Sequence, residues 1–172
     1  MSIEALVKVA PPPVGPPTAF AGPWEPIEAE LGVTLPQDYK DFARLYGSGS
    51  FFETVGIHLP TAQSRHIRLV HEARVICDDL RTLDNLPHAL WPEPGGLLPF
   101  GKTNYGDYLC WLTRGRPANW GVVVWGRGFL TFEAFDCDLT SFLAGLATGE
   151  ILPEEFPDGL LPCDQPFAPY AP

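Results

Sequence analysis

The run Gly96-Leu97-Leu98-Pro99-Phe100-Gly101-Lys102-Thr103-Asn104-Tyr105-Gly106-Asp107-Tyr108-Leu109-Cys110-Trp111 constrains the fold more than any other stretch of the chain. It opens as an apolar segment. It then turns through Gly101, Asn104 and Gly106, residues that tolerate unusual backbone angles, and re-enters an alternating strand from Asp107 to Leu112. Core-filling residues on both sides of such a turn read as the centre of a sheet, where they set the register of the neighbours. The run carries no catalytic motif.

The flanking sequence extends this sheet. Trp120-Gly121-Val122-Val123-Val124-Trp125 is apolar on both faces, as expected of an inner strand. Gly126-Arg127-Gly128 is a hairpin signal, and Phe129 to Ala134 reads as the next strand, with Leu130 and Phe132 on one face. Short loops between these strands imply an antiparallel meander. Upstream, Phe51 to Leu59 reads as one strand. Four helices are expected: Trp24 to Leu31, stopped by Gly32; a second opened by Pro36 and ended by Gly47; a third from about His66 to Leu83; and a last from Leu139 to Thr148, capped by Asp136 or Asp138 and ended by Gly149. On the third, Arg68 with Glu72 and Arg74 with Asp78 stand at pairing distance. The expected class is α+β: a single antiparallel or mixed sheet of four to six strands with helices packed on one face.

A chain of 172 residues suits one domain with extensions. Residues 1–23 read as an extended, proline-rich leader, residues 24–151 as the domain, and residues 152–172 as a proline-rich tail. The tail carries Phe156, Leu160, Leu161, Phe167 and Tyr170, too many large apolar residues to stay in water, so it should lie on the domain. There is no signal-peptide pattern at the N-terminus and no apolar run of about 20 residues, so a cytoplasmic, non-membrane protein is expected.

Most catalytic readings fail on spacing. The histidines are His58, His66, His71 and His88; His66 and His71 stand five apart, about 140° around a helix, so they do not form a helical zinc pair. The cysteines Cys77, Cys110, Cys137 and Cys163 lack a close pair and are expected as buried, reduced thiols. With 21 acidic residues, carboxylate pairs arise by chance, and nothing singles out two among Glu53, Asp107 and Glu133. No catalytic residue, cofactor or metal is therefore expected. A formal net charge of −10 disfavours direct contact with nucleic acid. It supports solubility, or attraction of a basic partner.

The order of motifs is familiar. Trp24…Ile27-Glu28…Leu31-Gly32…Leu35-Pro36…Tyr39-Lys40…Phe42…Tyr46-Gly47-Ser48-Gly49, then Leu98-Pro99-Phe100-Gly101, Asn104-Tyr105-Gly106-Asp107-Tyr108-Leu109-Cys110-Trp111, Trp120 with Val122 to Val124, and Phe142-Leu143…Leu146…Gly149 resemble the SUKH superfamily, which includes the fungal Smi/Knr cell-wall assembly regulators. The resemblance runs from about Trp24 to Ile151. One departure is Tyr105, inserted between an asparagine and a glycine that are often adjacent in the family. What the resemblance implies is a non-catalytic protein-binding module, since bacterial members are commonly immunity proteins that neutralise toxin domains, often nucleases. A regulatory module of the cell-wall type is the alternative, and an enzyme with a small-molecule pocket near Tyr105 to Asp107 is the weakest reading. For a basic partner the candidate contacts are Asp78, Asp79, Asp107, Glu133, Asp136 and Asp138, with Trp91 and Tyr105 as aromatic anchors. Further acids, Glu154, Glu155 and Asp158, open the tail.

Overall fold

A computed structural model describes residues 3–160 and 163–170; of the tail residues expected to pack, Leu161 lies outside these. The central run forms β3 (Leu97–Thr103) and β4 (Tyr108–Leu112), paired antiparallel. Its turn is closed by side chains: the Thr103 hydroxyl donates to Asp107 Oδ2 at 2.7 Å and accepts the N–H groups of Tyr105 and Asp107 at 3.3 and 3.1 Å. The ladder shifts register between Pro99 and Gly101, as suits a residue with no N–H to donate to a central strand. Gly101 is required by its neighbour, because a Cβ there would lie 2.7 Å from the Gly56 carbonyl oxygen.

β5 (Gly121–Gly126) and β6 (Thr131–Phe135) continue the meander. On the other side come β2 (Val55–Ile57), β1 (Gly49–Phe51) and β7 (Phe167–Pro169). Among the described residues the sheet has seven strands, in the order β6-β5-β4-β3-β2-β1-β7, all antiparallel. The expected four to six strands is therefore too few. The single strand expected over Phe51 to Leu59 is split, because Phe52 and Glu53 adopt left-handed angles (φ 54° and 57°) and turn the chain back on itself. The tail supplies the seventh strand, and as an edge strand it tolerates Pro169.

Five α-helices complete the described fold. α1 (Ile3–Val9), within the segment read as an extended leader, buries Leu6 completely and lies against α5, while the Tyr46 hydroxyl donates to the Ala10 carbonyl at 2.7 Å. α2 (Glu25–Leu31) and α3 (Gln37–Tyr46) fall where the apolar spacing places them. α4 (Leu69–Leu80) starts later than expected, because Ser64 caps a short 3₁₀ turn (Arg65–Ile67) and Arg68 is extended. The charge pairs expected on it are exchanged for others: Arg74 reaches Glu30, Asp78 is taken by Arg81, and Arg68 donates to the Ala62 carbonyl. α5 (Leu139–Thr148) is capped by Asp138, whose carboxylate accepts from Ser141 N at 2.7 Å.

The helices cover both faces of the sheet, not one. Trp111 and Tyr108 stand three apart on β4 and so point to opposite faces. Trp111 packs its ring on Tyr39 of α3 at 5.0 Å, on the face where α5 also lies, with Phe142 against Phe135. Tyr108 donates to Asp79 of α4 at 2.8 Å, and Lys102, its cross-strand partner, reaches Glu72 of α4 at 2.6 Å. The second face is apolar too, with Cys110, Val123 and Trp125 buried, so it must be covered. All four cysteines are free; Cys77 and Cys110 are buried, Cys137 and Cys163 half-buried, and burial pushes the Cys77 thiol up to about 11.

Two outcomes are expected. Leu6→Ala should lower the unfolding free energy by about 2–5 kcal/mol in urea denaturation; a change near zero would mean that α1 adds nothing to the core. His58 is fully buried, and burial, with the nearby Lys102 charge, pushes its imidazole down from 6.5 to about 3. The unfolded chain therefore binds the extra proton between these values, so stability should drop as pH is lowered through that window, by up to about 1.4 kcal/mol per pH unit. Replacing it by His58→Leu should remove that component, so the difference between the two proteins in urea titrations should vary from pH 7 to pH 4.5; a constant difference would contradict it.

Candidate functional site

Antiparallel pairing brings three turns to one end of the sheet. Val55 pairs with Thr103 and Tyr108 with Trp125, so the turns at residues 52–54, 104–107 and 127–130 lie side by side. They are bonded to one another. Asn104 donates its backbone N–H to the Thr54 carbonyl at 3.0 Å and its side-chain amide to the Glu53 carbonyl at 3.2 Å; Arg127 N donates to Asp107 Oδ1 at 3.0 Å. The tail crosses this end. The Glu155 carboxylate accepts from Gly128 N, Phe129 N and the Thr131 hydroxyl at 3.0, 2.7 and 3.3 Å. A Cβ at Gly126 would overlap the Glu155 side chain from its Cγ onward, so glycine there is what admits it.

Backbone strain and exposed apolar surface coincide here. The left-handed non-glycine residues among the described ones are Phe52, Glu53, Asn85 and Leu130, and all but Asn85 sit in these turns. Each such residue costs on the order of 1–2 kcal/mol, and clusters of them mark surfaces whose shape is held for a purpose. Tyr105, Phe129 and Leu130 are 58%, 74% and 58% exposed. A groove of about 460 Å³ runs between the turns and the tail, lined by Phe52, Glu53, Tyr105, Asp158, Asp164 and Gln165. Its three carboxylates are exposed, and Arg127 is the cation of the adjoining turn.

The residues expected to bind a partner divide between this end and elsewhere. Tyr105 belongs to the groove. Asp107 does not face solvent: it is 3% exposed, and it holds the β3–β4 and β5–β6 turns together. Trp91 is buried, with its indole N–H donated to the Leu31 carbonyl at 2.7 Å, so it is a core residue and no exposed anchor. Asp138 caps α5, and Glu133 accepts from Glu154 N at 2.9 Å. Asp136 is exposed at the far end of β6. Asp78 and Asp79 are exposed on α4, bonded to Arg81 and Tyr108. The eight do not form one patch.

Glu53, Phe129, Leu130, Asp158 and Asp164 are groove and turn residues that are not among the expected partner contacts. The strand expected from Phe129 begins at Thr131, because the Phe129 amide is taken by Glu155 and Leu130 turns left-handed. The signal was present in Gly126-Arg127-Gly128 and in the acids opening the tail; their meeting was not visible.

His66 Nδ1 and His71 Nε2 lie 3.9 and 4.0 Å from Glu72 Oε1, whose carboxylate is already held by Lys102. Among the described residues no group of three or more side chains is placed to hold a metal ion, and no helix is long and apolar enough to cross a membrane.

A SUKH-type family model described as SMI1-KNR4 cell-wall matches residues 23–143, well over half of the 172-residue chain. No curated protein and no solved structure matches it. The matched span runs from the segment before α2 into α5. It contains the whole meander and its three clustered turns, while β7 and the acids of the tail lie beyond it. The chain belongs to the SMI1-KNR4 family of the SUKH superfamily.

Proposed function

We propose that this chain is a non-catalytic protein-binding module that takes up a basic partner on the hairpin-tip end of its sheet, most specifically an immunity protein that neutralises a nuclease-type toxin domain. Family membership supports a module of the protein-binding kind. The observation that carries the choice of surface is the acidic groove beneath exposed Tyr105, built on strained turns that are bonded into one body. A preformed surface loses little conformational entropy on binding. An exposed tyrosine beside carboxylates suits an anchor with a charged rim. A nuclease must hold phosphate, so its cleft is basic; a chain of net charge −10 is steered toward it.

The test is capture of candidate toxin domains by the full chain, followed by stopped-flow association. The association rate should fall at least about tenfold as salt rises from low to physiological strength. The triple change Glu53→Lys, Asp158→Lys and Asp164→Lys should weaken the complex, and Asp136→Lys at the far end should leave it unchanged. A salt-independent rate, or sensitivity to Asp136 alone, would contradict the proposal. Capture of cell-wall assembly proteins instead of a toxin would favour a regulatory module on the same fold.

A further inference from the structure

The two edges of the sheet are built differently. β7 is three residues long and ends in Pro169, both devices that discourage further pairing. β6 has neither device: its sequence is Thr131-Phe132-Glu133-Ala134-Phe135, and its ladder is unbroken. Among the described residues no backbone hydrogen bond reaches β6 from its outer side. Among the described residues the tail's hydrogen bonds to β6 go to its side chains, with Glu133 accepting from Glu154 N and the Thr131 hydroxyl donating to Glu155.

Beside this edge runs a groove of about 660 Å³ between residues 82–87 and residues 130–132, walled by Leu83, Leu86, Leu130 and Phe132. Two of the left-handed non-glycine residues, Asn85 and Leu130, shape it. Glycine or asparagine would take the Leu130 conformation more cheaply. A leucine held there at 58% exposure presents its side chain to the groove mouth, next to Phe129 at 74%.

We propose that the outer edge of β6 and this groove receive an extended segment of a partner protein in which lysine or arginine alternates with aliphatic residues. The proposal rests on the protein-binding reading and adds a second contact and its mode. The alternation follows from the pleat. Phe132 pairs with Trp125, which stacks on Tyr108, so Phe132 lies on the α4 face with the groove. Glu133 lies on the opposite face, beside exposed Glu154. Successive side chains of an added strand would therefore meet the apolar groove and these carboxylates in turn. Asp84 at the groove adds negative charge; Arg127 lies at the turn end.

The probe is a short synthetic peptide alternating lysine with isoleucine, titrated into the isotopically labelled full chain and followed by amide chemical shifts. Saturable shifts should be confined to residues 130–135 and 83–86. The same peptide with alternate amides N-methylated keeps its side chains but loses edge hydrogen bonds, and should bind about tenfold more weakly. A glutamate-for-lysine peptide should not bind, and Leu130→Asp should weaken binding while leaving the rest of the spectrum intact. No saturable shift, shifts centred on Tyr105 and Asp158, or equal binding of the N-methylated peptide would each overturn the proposal. The Glu53→Lys, Asp158→Lys, Asp164→Lys protein should still bind the peptide. Failure at β6 and failure of the hairpin-tip reading are thus read separately.

Discussion

The indole of Trp111 is the contact on which most of the fold depends. It is fully buried, with Tyr39 edge-on at 5.0 Å, Phe100 at 4.6 Å and Trp120 at 6.1 Å. Through these rings it joins α3, β3, β4 and the approach to β5. Tyr39 carries the connection onward: its hydroxyl donates to the His58 carbonyl at 2.7 Å, and its ring meets Trp24 and then Phe20. Each aromatic pair contributes roughly 0.5–1.5 kcal/mol beyond the area it buries. The more important effect is positional: one side chain fixes the distance of a helix from a sheet and the register of two strands.

That constraint also decides where function can sit. The helices α1, α3 and α5 lie on the Trp111 face and α4 on the other, so neither face is free over the centre of the sheet. What remains are the ends and edges. At the end where α5 begins, carboxylates cap a helix. At the other end three turns are bonded together by Asn104 and Asp107 and crossed by the tail. Strained residues are retained there because neighbouring bonds over-determine their geometry. The turns around Tyr105 are therefore held by bonds to one another as well as by the sheet below them.

Local patterns in the sequence were enough to place α2, α3, α5 and the β3–β6 meander, because apolar spacing and glycine stops act over a few residues. Contacts between distant segments were not legible. The Phe51–Leu59 stretch gives no hint of left-handed Phe52 and Glu53, which arise because Asn104 bonds the carbonyls of the same turn. Phe167–Pro169 looks like proline-rich coil and becomes a strand only because β1 offers an edge. Trp120 to Trp125 is apolar on both faces, a local pattern that implies cover on both sides of the sheet and not the one-sided packing expected. The candidate site was partly legible. Tyr105 stood out as an insertion in an otherwise familiar turn, whereas Asp107, Asp138 and Trp91 look the same in sequence whether they bind partners or hold the chain together. Their hydrogen bonds to Arg127, Ser141 and Leu31 show the latter role.

The most direct test of the central claim is hydrogen–deuterium exchange on the chain free and bound to its captured basic partner. Protection gained in the turns at residues 52–54, 104–106 and 127–130, with α2 and α3 unchanged, is the expected footprint. Protection confined to α2, α3 or the Asp136 end, with those turns exchanging as in the free chain, would contradict it.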